Sequence, residues 1–179
     1  MTAGVDPYAP ISRVPPGHTY SLRLGSDSAM KAFLNPTPMG YPYSHQMVRN
    51  TFMVSAANPA ITYWNAIVFA QNKFTPHPQG EQPYVTFRVW DKDGNEIACT
   101  RYDVNPFTGL ATGDFQQKEI GNSGEEVVFR DWKPVYIPLA DYIGQQVTVQ
   151  FESSDCAQGG HFAYMYLAVD CSPIQKINV

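Results

Sequence analysis

Few side chains in this sequence have the types and spacings that catalysis requires. Its four histidines, His18, His45, His77 and His161, are far apart along the chain. The sequence contains neither the nucleophile elbow of hydrolases nor the His-Glu-x-x-His pair of zinc proteases. It therefore nominates no catalytic residue, gives no support to a zinc site built from these histidines, and predicts a protein that is not an enzyme.

Two acidic residues point to a structural calcium ion. By fold-level analogy, binding modules of the jelly-roll class often hold an ion between the chain entry and the end of the last strand, and Asp27 and Asp170 occupy such positions. We expect both carboxylates to bind Ca²⁺ together with backbone carbonyls. The segment 91–96 also resembles a calcium loop, but its Asp93-Gly94 pair is better explained as a two-residue hairpin turn between strands.

Exposed aromatic side chains can bind sugars, because the C–H faces of a sugar ring match the face of an aromatic ring. Tyr41 and Tyr43 are the best candidates, since they lie in the proline-flanked segment Gly40-Tyr41-Pro42-Tyr43. Prolines keep such a loop extended and lower the cost of ordering it on binding. Trp64 and Trp132 lie within or beside predicted strands and are expected in the core.

Strand geometry decides between the pairings that three cysteines allow. If 161–170 is one strand, its ends are about 30 Å apart, too far for Cys156 to reach Cys171 across the short loop before it. A disulfide needs Cα atoms within about 7 Å. We therefore expect Cys99 to pair with Cys156 at one end of the molecule; no disulfide at all, or a bond to Cys171, are the alternatives.

Composition limits the partners. The chain has 179 residues and a net charge of -4, with no run of Lys or Arg. Binding to a phosphate backbone needs a basic stripe, so nucleic acid is not expected as a partner. No apolar run reaches the roughly 18 residues that span a bilayer, so no membrane insertion is expected. We expect the isolated domain to be monomeric.

Alternation of apolar and polar residues predicts an all-β fold. Val85, Phe87 and Val89 share one face of a predicted strand, and Thr86 and Arg88 share the other. About nine such runs, separated by Gly- and Pro-rich loops, indicate a two-sheet antiparallel β-sandwich of the jelly-roll type, without a convincing helix. The predicted strands are 19–24, 46–54, 61–70, 84–90, 95–102, 126–130, 135–139, 146–152 and 161–170.

The strands 61–70 and 161–170 are apolar or aromatic on both faces, which is typical of strands that are central in their sheets and covered on two sides. Residues 1–18 carry four prolines and are expected to form a lead-in. We expect a single sandwich domain over 19–173, followed by a tail or linker over 174–179.

The second half of the chain resembles a known family. Segment 136–151 reads Tyr-Ile-Pro-Leu-x-x-Tyr-Ile-Gly-Gln-x-Val-Thr-Val-x-Phe, segment 155–166 reads Asp-Cys-Ala-Gln-Gly-Gly-His-Phe-Ala-Tyr-Met-Tyr, and Asp170-Cys171 follows. These motifs resemble an extracellular domain of gliding-motility-associated and PKD-containing bacterial surface proteins, the SprB-like adhesin group. The similarity covers roughly 17–173.

This resemblance implies a β-sandwich module of a large secreted protein, displayed on the bacterial cell surface, that adheres to or binds a glycan or surface polysaccharide. It implies no catalysis, and it carries over no ligand-contacting residue. Two other functions stay open: a structural spacer in a filamentous adhesin, and an ancillary domain of a secreted hydrolase. Neighbouring domains in the parent protein would separate the three.

Overall fold

The computed structural model describes residues 1–28, 43–120 and 124–169. Within them the chain forms nine strands and one short α-helix, α1, at Pro106–Ala111. The strands are β1 Leu22–Gly25, β2 His45–Met53, β3 Ala60–Asn72, β4 Tyr84–Trp90, β5 Tyr102–Val104, β6 Gln116–Glu119, β7 Glu125–Pro138, β8 Gln146–Ser154 and β9 Ala163–Val169. No helix in this described part is long and apolar enough to cross a membrane.

The strands form two sheets in which every pairing is antiparallel. The five-stranded sheet has the order β1-β9-β3-β7-β6, and the four-stranded sheet has the order β2-β8-β4-β5. Successive strands from β1 to β4 alternate between the sheets, as do β7, β8 and β9, which is the winding of a jelly roll with β6 added at one edge. The predicted two-sheet antiparallel sandwich is confirmed.

Strand β7 is longer than predicted. The runs 126–130 and 135–139 were expected as two strands, but they are parts of one 14-residue strand that pairs with β3 along its length. Strand β6 pairs only with residues up to Phe129, so the second half of β7 is a sheet edge, where Pro134 without its amide donor is tolerated. A shift in the pairing register of β3 with β7, between Asn65 and Ile67, accommodates the region where the two predicted runs are continuous.

The predicted hairpin at Asp93-Gly94 is wrong in its details. Asp91 and Asn95 close a three-residue loop, in which the Asp91 carboxylate accepts the amides of Asp93 and Asn95, each at 2.9 Å. Gly94 has a φ of +83° there, as expected of the last residue of such a loop. The following chain makes only an isolated bridge to β4, so the predicted strand 95–102 is replaced by the short strand β5.

Helix α1 was not predicted from the sequence. Asn105 is its N-cap, because its side chain accepts the Thr108 amide at 2.9 Å while the Thr108 hydroxyl accepts the Asn105 amide at 3.0 Å. Pro106 follows at the first helical position, where its missing amide costs nothing. The Asn-Pro pair was the available signal, but a helix of six residues shows too little periodicity to be predicted.

The core between the sheets is built from the inward-facing residues of both. Tyr63 of the five-stranded sheet packs against Phe87 and Phe151 of the four-stranded sheet, with ring centroids 4.9 Å apart in both cases. Phe87 and Phe151 are 4.8 Å apart. These aromatic contacts join three strands at the centre of the sandwich, and aliphatic residues complete the core around them.

A second apolar cluster lies on the outer face of the five-stranded sheet. Val68, Phe162 and Tyr164 are fully buried there, because the lead-in residues Ala9 and Ile11 cover them. Strands β3 and β9 are therefore covered on both faces, as their sequence predicted. The lead-in of residues 1–18 is packed onto the sheet as part of the same folded unit.

Asp6 holds this lead-in in place. Its buried carboxylate accepts the hydroxyl groups of Tyr164 and Tyr166 at 2.6 and 2.8 Å, and the backbone amides of Tyr8 and Ala9 at 2.9 and 2.8 Å. Burial, together with the adjacent Asp6 charge, raises the pKa of both tyrosines far above its ordinary value. The tyrosines therefore remain neutral donors to the carboxylate.

We expect Asp6→Ala to destabilise the protein by about 3 kcal/mol, because it leaves two buried hydroxyls and two amides without their acceptor. Urea unfolding followed by tryptophan fluorescence measures the change. Asp114→Ala is the matched control, since Asp114 makes only an exposed ion pair with Lys133, and it should leave the unfolding midpoint nearly unchanged. Equal stability of the Asp6 variant and the wild type would contradict the anchoring role.

Gly25 is required where β1 approaches β9 closely. Its φ is +97°, and a Cβ there would lie 2.4 Å from the Ala163 carbonyl oxygen and 2.7 Å from Ser153 Oγ. We expect Gly25→Ala to lower the free energy of unfolding by about 3 kcal/mol or more. Gly17→Ala is the control, because Gly17 has a φ of +78° with open space around it. It should cost only about 1–2 kcal/mol of backbone strain, and equal losses in the two variants would contradict the steric account.

Candidate functional site

The outer face of the four-stranded sheet is the polar surface that the strand alternation creates. Thr86 and Arg88 of β4 lie opposite Glu152 and Gln150 of β8, and Asp103 of β5 lies beside Thr86. Their strand neighbours point inward and are buried in the core. The sequence predicted which way these side chains face, but the pairing of β4 with both β8 and β5 brings them together.

Glu152 is the centre of a hydrogen-bond network on this face. One carboxylate oxygen accepts the Tyr84 hydroxyl at 2.8 Å and His45 Nε2 at 3.0 Å, and the other accepts the Gln150 amide at 3.0 Å. Burial alone would raise the pKa of Glu152, but the hydrogen bonds from Tyr84 and His45 outweigh it and hold this pKa below its ordinary value. Glu152 is therefore an ionised acceptor at neutral pH.

A groove of about 450 Å³ runs along β4 beside this carboxylate. We call it the polar groove; it is lined by Gln79, Gly80, Gln82, Tyr84, Thr86, Arg88, Asp103, Val104, Asn105, Thr108 and Glu152. Glu152 lies on one side and the capped start of α1 on the other. Arg88 donates to Asp103 at 3.4 Å, and in the described part of the chain Arg88 Nε and Thr86 Oγ1 have no hydrogen-bond partner.

Aromatic side chains lie at both ends of β4. Tyr84 begins the strand, and the predicted residue Tyr43 lies close to it, because the Tyr43 hydroxyl is 2.7 Å from Ser154 Oγ and Ser154 pairs with Tyr84. Tyr43 is 61% exposed. Trp90 ends the strand about 20 Å away, and the Arg49 guanidinium lies 5.0 Å from its ring centroid. The face thus combines charged and amide groups with aromatic residues at each end.

A larger cleft of about 670 Å³ opens between the edges of β1 and β2. Its exposed side chains are mainly apolar and include Leu22, Val48, Met53 and Val169. Val169 is the last residue described before the chain end, and the described residues do not show what covers the cleft. We therefore take the polar groove, whose described lining combines charged and amide side chains, as the candidate site.

The other sequence-predicted residues are not brought together here. Asp27 is buried, accepts the Tyr8 hydroxyl at 3.1 Å and pairs with Arg23 at 3.2 Å. Asp170, Tyr41 and Cys171 lie outside the described residues. Calcium binding by Asp27 and Asp170, and sugar stacking by Tyr41, stay predictions.

The predicted disulfide is wrong, because Cys99 and Cys156 are both free thiols. The amide of Ile97 bonds to Val89 near the end of β4, which places Cys99 at that end of the strand. Cys156 follows Ser154, which pairs with the first residue of β4. The two cysteines therefore lie at opposite ends of a strand about 20 Å long, well beyond the roughly 7 Å that a disulfide allows.

Comparison with known proteins gives distant structural neighbours. No family model matches the chain, and no curated protein matches it. Among solved structures, it is similar to the carbohydrate-binding module TmCBM61 in complex with β-1,4-galactotriose, at 11% identity and a TM-score of 0.35, over 88% of this chain and 76% of that one. It is also similar to the enzymatically active domain of tailspike protein 4 of bacteriophage CBA120, at 14% identity and a TM-score of 0.30, over 94% of this chain and 17% of that one.

These neighbours leave the predicted resemblance to SprB-like adhesins as a prediction, since neither is such an adhesin. Similarity at this level carries no argument about a ligand. We therefore infer a function for this chain from its own side chains.

The network around Glu152 predicts a pH dependence of stability. A carboxyl group whose pKa is lower in the folded than in the unfolded state stabilises the fold above its unfolded pKa, near 4.3, and this contribution is lost as the pH falls through the folded pKa. Glu152→Gln should therefore destabilise the protein most near pH 7 and progressively less towards pH 3. Urea unfolding across this range measures the difference. As a control, Glu119→Gln at an exposed carboxylate of β6 should change the free energy of unfolding by nearly the same small amount across this pH range. A loss of stability in Glu152→Gln that does not vary with pH would contradict the network.

Proposed function

We propose that this protein is a non-catalytic glycan-binding module and that the polar groove on the four-stranded sheet is its binding site. The observation that carries the proposal is the arrangement along β4, where an ionised carboxylate and an arginine face an open groove between aromatic residues. This combination matches the two chemical aspects of a sugar, its hydroxyl groups and its C–H faces.

The polar side chains suit recognition of hydroxyl groups. Glu152 and Asp103 accept hydrogen bonds, and Arg88 and Gln150 donate them, within one sheet surface. Charge-assisted hydrogen bonds of this kind are about twice as strong as neutral ones. Because the side chains sit on paired strands and already contact each other, little side-chain entropy is lost when a ligand binds.

The aromatic residues suit the apolar faces of sugar rings. Tyr43 and Tyr84 at one end and Trp90 at the other are separated by the length of β4, about 20 Å. Aromatic residues this far apart on one sheet face suit an extended oligosaccharide better than a single sugar. Arg49 beside the Trp90 ring keeps this aromatic side chain oriented at the surface.

The carboxylates of the groove suit binding better than hydrolysis. A glycosidase needs one carboxyl group that stays protonated near neutral pH, with a raised pKa, as its general acid. Glu152 has its pKa lowered by its hydrogen-bond partners, and Asp103 is ion-paired with Arg88 and Arg101. Glu152 is therefore unsuited to act as this general acid.

A glycan-binding module of this kind fits the resemblance to extracellular adhesin domains, and we propose the bacterial cell surface as its location. A purely structural spacer is the second candidate. The long edge strand β2, exposed along almost its entire length, is the observation that favours contact with a neighbouring domain.

Calcium at Asp27 remains a separate proposal, tested by whether chelation lowers the melting temperature.

A glycan array probed with the labelled chain, followed by calorimetry with the best oligosaccharide, tests the proposal. We expect Glu152→Gln to weaken binding about 10-fold or more, since a hydrogen bond to a charged group contributes about 1.5–3 kcal/mol. Trp90→Ala and Tyr43→Ala should each weaken it as well, because stacking area is lost at either end of the groove.

Matched controls lie on the other sheet. Tyr136→Ala removes an exposed aromatic side chain of β7, and Glu119→Gln neutralises an exposed carboxylate of β6. Both should leave the affinity unchanged. Absence of any ligand on a broad array would favour the spacer, and binding that tolerates all three groove substitutions would place the site elsewhere.

A further inference from the structure

Three side chains that can bind a transition metal converge at one end of the sandwich, outside the polar groove. They are His77, Cys156 and His161, and one ligand atom from each lies within 4.8 Å of the others. The two histidine rings have centroids 4.5 Å apart. The sequence does not predict a metal site here, because 84 positions separate the two histidines. Only the fold brings them together.

A tight hairpin between β8 and β9 presents two of the three residues. The Cys156 amide donates to the His161 carbonyl at 3.1 Å, so the loop between them has only four residues. Gly159 and Gly160 allow this turn because their φ angles are +82° and +88°. The spacing Cys-x₄-His thus comes from a defined backbone loop, in the way that hairpins present metal ligands.

The third residue comes from the connection between β3 and β4. The side-chain amide of Gln82 donates to the His77 carbonyl, which fixes the shape of this connection. Ala157 of the hairpin donates its amide to the Glu81 carbonyl at 3.1 Å, and the side chains of Gln158 and Glu81 also bond. The two segments therefore hold one another in register without a metal.

The histidines carry ring nitrogens that nothing in the described chain satisfies. The Nδ1 atoms of His77 and His161 are both buried and lack a hydrogen-bond partner among the described residues. His161 is only 8% exposed, and Cys156 is fully buried. A buried imidazole nitrogen without a partner costs free energy, and a bound metal ion would remove this cost.

We propose that His77, Cys156 and His161 form a zinc site with two nitrogen ligands and one sulfur ligand. Zn²⁺ prefers such ligands in a tetrahedron, at about 2.0–2.1 Å for nitrogen and about 2.3 Å for sulfur. These bond lengths require ligand atoms about 3.3–3.6 Å apart, so the widest pair must approach by about 1 Å through side-chain rotation. Calcium does not suit the site, because Ca²⁺ takes oxygen ligands.

Metal binding here would clamp two loops, one of which lines the polar groove. Gln79, Gly80 and Gln82 line one end of the groove and belong to the same connection as His77. The zinc ion would tie this connection to the β8–β9 hairpin and thereby hold that end of the groove rigid. The inference does not depend on glycan binding, since its test uses the metal alone.

Zinc titration of the tag-free, chelator-treated protein under reducing conditions tests the site. We expect one Zn²⁺ per chain by calorimetry, a higher melting temperature in excess zinc, and reversal of that shift by EDTA. Cobalt substitution should give thiolate-to-metal charge-transfer absorption, which reports the Cys156 ligand directly. Cys156→Ser and His77→Gln should each weaken zinc binding at least tenfold, and Cys156→Ser should abolish the charge-transfer band.

Cys99→Ser and His18→Gln are the controls, because they remove a thiol and an imidazole outside the cluster. Both should bind zinc as the wild type does. The half-buried His77 keeps the test informative if the buried Cys156 variant fails to fold. Absence of stoichiometric zinc binding, or binding that both ligand variants retain, would overturn the site, and binding of copper but not zinc would overturn the choice of metal.

Discussion

The carboxylate of Asp6 accepts two tyrosine hydroxyls and two backbone amides on the outer face of the five-stranded sheet. Because two of these bonds join Asp6 to tyrosines of β9, the lead-in cannot leave the sheet without breaking both of them and exposing the apolar cluster beneath it to water. That face is therefore closed to ligands. The outer face of the four-stranded sheet carries the polar groove, and we propose this face as the binding surface.

Much of this division follows from the sequence. The alternation in 84–90 and 146–152 correctly predicted which residues face the core, and the two-sided apolar character of 61–70 and 161–170 correctly predicted strands covered on both faces. What failed were local details that tertiary pairing decides. The runs 126–130 and 135–139 were predicted as separate strands, but β7 continues through Pro134 because it has no described neighbour on one side there. The Asp91 side chain, not the Asp93-Gly94 pair alone, shapes the turn after β4.

The candidate sites were less predictable, because residues distant in sequence form them. Tyr43 was predicted from its proline-flanked setting, and it lies near Tyr84 at the start of β4, while its role in sugar binding stays a prediction. The partners of Glu152 come from three different strands; the alternation in β8 relates Gln150 to it, but no spacing in the sequence relates Tyr84 and His45 to it. His77 meets Cys156 and His161 only because two loops are hydrogen-bonded at one end of the sandwich. The predicted disulfide failed for a related reason, since it assumed that two strand ends meet where the register separates them.

We propose that the outer face of the four-stranded sheet is the surface that binds a glycan. Amide NMR titration with the best-binding oligosaccharide locates the ligand without any substitution. We expect the largest changes in amide chemical shift at Thr86, Arg88, Gln150 and Glu152, and smaller changes at Tyr43 and Trp90. Changes confined to the cleft between β1 and β2, around Leu22 and Val48, would contradict it.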